Sequence, residues 1–237
     1  MYQTRLEETL PRVRERVAEA AARVGRSPEG VRTVAVTKGH PMEAIRAALA
    51  SGIRDLGENR LGELEEKRRA LDGSGGSPPD LRWHMVGHLQ RRKAPGVRDA
   101  AHLLHSLDSL RLARRLERTA PEGSRPLPVL LQVNTSGEAS KYGFTPEGFT
   151  DGLGEILEMT SLEVRGLMTM APLTDDRALI RATFRRLRQL QERARESHSG
   201  YGGEELSMGM SNDYELAVEE GSTLVRLGTV LFGERPE

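Results

Sequence analysis

From Val31 onward the chain repeats one rhythm, a short apolar run followed by a longer amphipathic stretch that starts at Pro, Ser, Thr or Asp. The runs predict strands at Arg32 to Thr37, Ile53 to Gly57, Leu81 to Val86, His102 to Ser106, Val129 to Asn134, Leu162 to Met168, Leu206 to Met208 and Leu224 to Leu227. Helices are expected between them near 42–50, 60–71, 88–94, 109–119, 146–159, 175–197 and 212–220. Strands that alternate with helices pair in parallel, because a parallel partner is reached only by a crossover. Eight such units in about 200 residues match the lower size limit of a (β/α)8 barrel. A doubly wound open sheet is the competing arrangement. The expected fold is therefore α/β, a single (β/α)8 TIM barrel. An extra amino-terminal helix precedes it over residues 3–24, where Leu6, Leu10, Val13, Val17, Ala20, Ala21 and Val24 recur at spacings of three and four.

Two Gly-rich stretches, 72–80 and Ser199 to Gly203, join segments of similar composition and read as loops. One domain over residues 1–237 is expected. With 37% apolar and only 4% aromatic residues, its core must be aliphatic. The 35 basic and 35 acidic side chains cancel, so no long-range field favours nucleic acid or an anionic membrane. The absence of cysteine excludes disulfides, thiolate metal sites and a cysteine nucleophile. Neither a secretory signal nor a run of about 20 apolar residues stands out, so a cytoplasmic protein is expected.

A barrel of this kind carries its site at the carboxyl ends of its strands. Those ends offer Lys38, Glu58–Asn59, Gly87–His88, Asp108, Asn134 to Ser136, Met168, Ser211–Asn212 and Gly228–Thr229. Of the 35 basic residues only four are lysines, and Lys38 directly follows the apolar run Val34 to Val36. Lysine, unlike arginine, condenses with carbonyls once its pKa is lowered; alternatively Lys38 simply caps a strand and points to water. Ser207 to Asp213 reads as a strand, a Gly turn and a helix start, which is either an anion cradle or an ordinary helix cap. Gly228–Thr229 forms a second such turn after the last strand, where these barrels often bind phosphate. Arg226 stands between Val225 and Leu227, aimed either into the barrel mouth or outward.

An imine lysine, a phosphate cradle and a ring-facing cation together describe a pyridoxal 5′-phosphate (PLP) site. The motifs Val34 to Lys38, Leu56 to Asn59, Trp83 to Gln90, Ser140 to Gly143, Gly166 to Met170, Leu206 to Ser211 and Val225 to Thr229 with Phe232–Gly233 resemble the pyridoxal phosphate homeostasis proteins, the YggS/PROSC family. The resemblance implies a barrel like the amino-terminal domain of alanine racemase and PLP held as an internal aldimine on Lys38. It further implies that Ser211, Gly228 and Thr229 bind the phosphate, with Ser207 able to share it. Arg226 would meet the pyridine nitrogen, while Asn59, His84 and Met168 would line the pocket. The implied role is intracellular PLP, or vitamin B6, homeostasis; a lone closed barrel permits a monomer, and PLP-dependent apoenzymes are the expected recipients.

A PLP-dependent racemase is the alternative. Only eleven residues follow Arg226, leaving no room for the carboxyl-terminal domain that completes alanine racemase, and a cation at the ring nitrogen weakens the electron sink. A sugar-phosphate enzyme using Lys38 on a substrate carbonyl is a third reading. Among other residues, Lys141 is the second-choice imine lysine, and His105 reads as a satisfied core histidine. His40 reads as a helix-start residue, Trp83 as packing with His84 facing the opposite way, and Asp213, Glu215, Glu219 and Glu220 as a solvated face with no metal.

Overall fold

The computed structural model describes residues 1–73, 76–138 and 141–235. Ser140 and part of the 72–80 loop lie outside the described residues. Eight strands, β1 (Arg32–Val36), β2 (Asp55–Glu58), β3 (Arg82–Met85), β4 (Leu103–Leu107), β5 (Leu127–Gln132), β6 (Leu162–Met168), β7 (Glu205–Ser207) and β8 (Leu224–Leu227), close into a barrel in chain order. Every pairing is parallel, and β8 returns to β1 with Ala35 opposite Leu227. The expected barrel is present, and the open sheet is not.

Successive strand residues point to opposite faces, which gives this barrel two cores. Ala35, Leu56, Trp83, Met85, Leu104, Val129, Leu131, Leu167, Leu206, Val225 and Leu227 pack outward with the helices. Val34, Val36, Leu103, Leu130, Met168 and Leu224 form a smaller aliphatic cluster inside the barrel. The helices are α1 (Tyr2–Ala22), α2 (Met42–Ala50), α3 (Leu61–Asp72), α4 (Ala94–Ala100), α5 (Leu110–Arg118), α6 (Pro146–Leu157), α7 (Arg177–Ser197), α8 (Tyr214–Glu219) and α9 (Thr229–Phe232). Helix α1 buries Leu6, Leu10, Val13, Val17, Ala20 and Ala21 against α2, α8 and α9. Fully burying a leucine or valine side chain is worth about 1.5–3 kcal/mol, so this stripe fastens the extra helix firmly.

Two helices differ from expectation. The stretch 88–94 is not helical through its length: Arg91–Lys93 is a single 3-10 turn, and α4 begins at Ala94. Pro95 explains the shift, because its fixed φ and missing N–H suit the first turn of a helix. Residues 211–213 form a turn, so α8 starts at Tyr214 instead of Ser211 or Asn212. Among the described residues no helix is long and apolar enough to cross a membrane.

Candidate functional site

Thr37 leaves β1 on its outer face and is held from below. Its hydroxyl donates to Glu58 Oε1 at 2.5 Å. Lys67, on α3, donates to the Thr37 carbonyl at 2.7 Å, to Glu58 Oε1 at 2.8 Å and to Glu63 Oε1 at 2.7 Å. Glu63 also accepts the Gly39 N–H at 2.6 Å, and Gly39 takes φ +70°, a conformation that favours glycine. The turn carrying Lys38 is thus clamped on both sides. Lys38 continues the inward series Val34, Val36, is half-buried, and makes no hydrogen bond or ion pair with the described residues. Burial lowers its amine pKa, the charges of Arg235 and Arg226 lower it further, and Glu58 opposes them. A lowered amine is more often neutral and nucleophilic.

Adjacent strand ends supply N–H and hydroxyl donors. Gly209 turns the chain after β7 at φ +93°; a Cβ there would stand 2.6 Å from Ala217 Cβ and 2.9 Å from Tyr214 Cα. Met210 N–H donates to Asp213 Oδ1 at 2.6 Å. Ser211 Oγ reaches across to the next loop and accepts the Val230 N–H at 3.2 Å. Gly228 caps α9, and a Cβ on it would lie 3.2 Å from the Val36 carbonyl. Thr229 begins α9 and is exposed, and the first N–H groups of any helix lack an intrahelical partner. Ser211, Gly228 and Thr229 are therefore brought together, next to the end of β1.

Ser207 belongs elsewhere. It is fully buried inside the barrel and bonded to Arg226, whose NH1 donates to Ser207 Oγ at 2.7 Å and to its carbonyl at 2.8 Å. Arg226 NH2 donates to the Thr169 carbonyl at 3.0 Å. Alternation along β8 sends Val225 and Leu227 outward and Arg226 inward, where it is 5% exposed. No carboxylate of the described residues forms a salt bridge with it. Burial pushes its pKa down to about 10, against the pull of Asp213, and it remains a cation at neutral pH.

His84 faces inward, opposite Trp83, and is 1% exposed. It bonds His105 and Asp55 within the barrel. His105 is a satisfied core histidine, bonded through both ring nitrogens. Asn59 is half-buried at the end of β2, pressed by Gly87, where a Cβ would sit 2.3 Å from the Asn59 carbonyl. Met168 closes the inner aliphatic cluster at the end of β6. Lys141 lacks a free amine: it pairs with Glu138 at 2.5 Å and donates to the Ala171 carbonyl at 2.7 Å. His40 is more than a helix-start residue, being buried against Tyr2 and Phe232. The acidic face expected after the β7 turn is not solvated. Glu219 pairs with Arg23 and Arg181, and Glu220 with Arg181 and Arg185, because α1 and α7 pack beside α8. Among the described residues no cluster of His, Cys, Asp or Glu could hold a metal.

The family model for the alanine racemase N-terminal domain matches residues 9–236. A pyridoxal phosphate homeostasis protein of Pseudomonas aeruginosa is 41% identical over 228 residues, covering 96% of this chain and 95% of its own. The chain belongs to this family of pyridoxal phosphate homeostasis proteins, within the alanine racemase N-terminal domain family. The Aquifex aeolicus member is 38% identical over 96% of the chain and 97% of its own. Among solved structures, PipY of Synechococcus elongatus with PLP bound is 37% identical with a TM-score of 0.79, covering 92% of this chain and all of that one. An alanine racemase of Clostridium difficile shares the fold at 14% identity and a TM-score of 0.73, and this chain spans 60% of its length.

Sequence reasoning passed over Asp55 and Lys67. The one available signal for Lys67 was its rarity, a lysine kept in an arginine-rich chain. For Asp55 it was a charge in the middle of the run Ile53 to Gly57 read as a buried strand.

Proposed function

We propose that the chain binds pyridoxal 5′-phosphate covalently through Lys38 and serves intracellular vitamin B6 homeostasis by holding and releasing the cofactor. The observation that carries this is the free, half-buried Lys38 amine, whose pKa is lowered by burial and then by Arg235 and Arg226, beside the donor-rich turn of Ser211, Gly228 and Thr229. The residues fit the cofactor chemically. Its phosphate needs clustered N–H and hydroxyl donors, which Ser211, Gly228 and Thr229 offer. Its pyridine nitrogen needs one donor, and Arg226 has five N–H groups, of which described contacts use three. Asn59 and Met168 would form side walls, with His84 and Ser207 a layer deeper. When bound, PLP supplies an aldehyde that condenses with amines and a ring that draws electrons.

The same arrangement favours a carrier over a racemase. A guanidinium that donates to the ring nitrogen leaves that nitrogen unprotonated, and the ring draws electrons less strongly. The reading extends to one domain over the whole chain, a cytoplasmic monomer, and apoenzymes as recipients; gel filtration and transfer of PLP to an apoenzyme test the last two. The decisive experiment is absorbance of the purified protein near the violet edge, then borohydride reduction and peptide mapping. Label on the Lys38 peptide supports the assignment, and label on the Lys141 peptide defeats it.

A further inference from the structure

A continuous line of hydrogen bonds crosses the barrel interior beneath Arg226. Asp55 Oδ1 meets His84 Nε2 at 2.8 Å, His84 Nδ1 meets His105 Nε2 at 2.8 Å, and His105 Nδ1 meets Ser207 Oγ at 2.8 Å. Ser207 Oγ in turn meets Arg226 NH1 at 2.7 Å. We propose that Asp55, His84, His105 and Ser207 are positioning residues, a one-way chain that aims Arg226 and brings the negative charge of Asp55 to bear on it. The proposal rests on the PLP reading above for what Arg226 faces.

The direction of the chain follows from valence. Burial works to raise the Asp55 pKa, but the hydrogen bonds and charges of His84 and Arg82 hold it well below the usual carboxylate range. An ionised carboxylate only accepts, so His84 Nε2 must carry a proton. Burial lowers the pKa of both histidines, against Asp55 for His84 and reinforced by His84 and Arg226 for His105, so both rings are neutral. A neutral ring has one donor and one acceptor nitrogen. His84 Nδ1 therefore accepts from His105 Nε2–H, and His105 Nδ1 accepts from the Ser207 hydroxyl. Ser207 Oγ then has lone pairs left only to accept from Arg226. Each donor points toward Asp55, so the guanidinium is fixed as a donor and has no acceptor to turn toward.

Other charges around the chain anchor its far end. Arg82 binds both Asp55 oxygens at 2.8 and 2.7 Å, and Arg32 lies 3.6 Å from Oδ1 while pairing with Glu205. At the near end Asp213 acts on Arg226 only at long range. Packing alone does not account for such an arrangement. The inner cluster is otherwise apolar, with Val34, Leu103, Leu130 and Leu224 among its members, so aliphatic filling is available inside the barrel. Burying two imidazoles and a hydroxyl costs free energy that apolar residues would not incur. A buried guanidinium without a touching carboxylate is what requires them.

The test begins with the apo protein. In 15N-histidine NMR, His84 and His105 should stay neutral with the proton on Nε2 from about pH 5 to 8, the range where a free histidine titrates. Either ring as the Nδ1–H tautomer overturns the proposal, whether or not PLP binds. Asp55→Asn and Ser207→Ala are then compared with the native chain in PLP titrations. Each should weaken PLP binding about tenfold, as for a lost hydrogen bond to a charged group. Each should also shift the pH titration of the bound cofactor's absorbance, while borohydride still labels Lys38. Because the chain acts as a unit, the double variant should be little worse than either single one. Ser207→Ala, a small change on its own strand, carries the test if Asp55→Asn does not fold. A folded Ser207→Ala protein with native affinity and native titration refutes the relay. Failure of the native chain to bind PLP refutes the proposed function instead, and leaves the NMR result to stand on its own.

Discussion

Replacing Lys67 with methionine should reveal how much the clamp beneath Lys38 contributes. Lys67 is 7% exposed and Glu58 not exposed at all. The substitution removes three hydrogen bonds at once and leaves the Thr37 carbonyl without its donor. It leaves the buried Glu58 carboxylate with Thr37 as its one donor, since Glu58 Oε2 already has none. Removing one partner of a buried ion pair costs about 3–5 kcal/mol, chiefly because the other charge stays behind. That is a large share of the roughly 5–15 kcal/mol by which a domain is stable. Urea unfolding of the apo protein, followed by circular dichroism, measures it. Adding Glu58→Gln to Lys67→Met removes the stranded charge and should recover part of the loss. The pH dependence has a definite sign. Burial raises the Glu58 pKa, opposed by Lys67 and Thr37. A carboxyl raised on folding contributes stability that is present below its unfolded pKa and lost as pH rises through the folded value. Without Lys67 the folded value rises further, so the variant should lose more stability than the native chain as pH climbs out of the ordinary carboxylate range. A loss under about 1 kcal/mol, the range of an exposed pair, would refute the buried-clamp argument.

Lys38→Ala should keep its fold by circular dichroism and lose the absorbance of lysine-bound cofactor; retention of that band would move the attachment elsewhere. Thr229→Val keeps shape but removes a hydroxyl, and should weaken PLP binding roughly ten- to a hundredfold in a fluorescence titration. Pyridoxal without phosphate binding as tightly as PLP would count against the cradle. Gly87→Ala places a Cβ 2.3 Å from the Asn59 carbonyl, so it should displace Asn59 and lower the melting temperature; an unchanged melting temperature would contradict that contact. A panel of L- and D-amino acids with the PLP-loaded protein, read by chiral analysis, should show no turnover in the usual range of about 1–1000 per second.

The barrel was legible because its strands are buried on both faces and read as continuous apolar runs, as in Val34-Ala35-Val36. Lys38 and the Gly228–Thr229 turn were legible for the same reason, since they come directly after such runs. The inward aim of Arg226 stood open until the two cores separated Val225 and Leu227 from Leu224. Helix α9 was not visible, because four residues cannot display a helical period. The charged supports were hidden for a different reason. Lys67 lies in a helix rich in Glu and Arg and looks solvated by pattern, and Asp55 beside Arg54 looks like one of two charges interrupting a short apolar run. Their burial comes from partners 9 to 30 residues distant, which no local period records.

Strand β2 joins these supports without merging them. Its four residues hold two acids, Asp55 at the amino end facing inward and Glu58 at the carboxyl end facing outward, both buried. Because side chains alternate, residues three apart on a strand must take opposite faces, so one short strand serves two separate networks. The outer network ties Glu58 to α3 and holds the turn of Lys38 while leaving its amine free. The inner one runs from Asp55 to Arg226 and keeps a guanidinium fixed. Under the proposed function, an imine that forms on Lys38 and is released would need a rigid turn with an unengaged amine. A ring held without being activated would need a fixed donor at its nitrogen. The two ends of the site would then make opposite demands, and the alternation of β2 would let both be met from the same four residues.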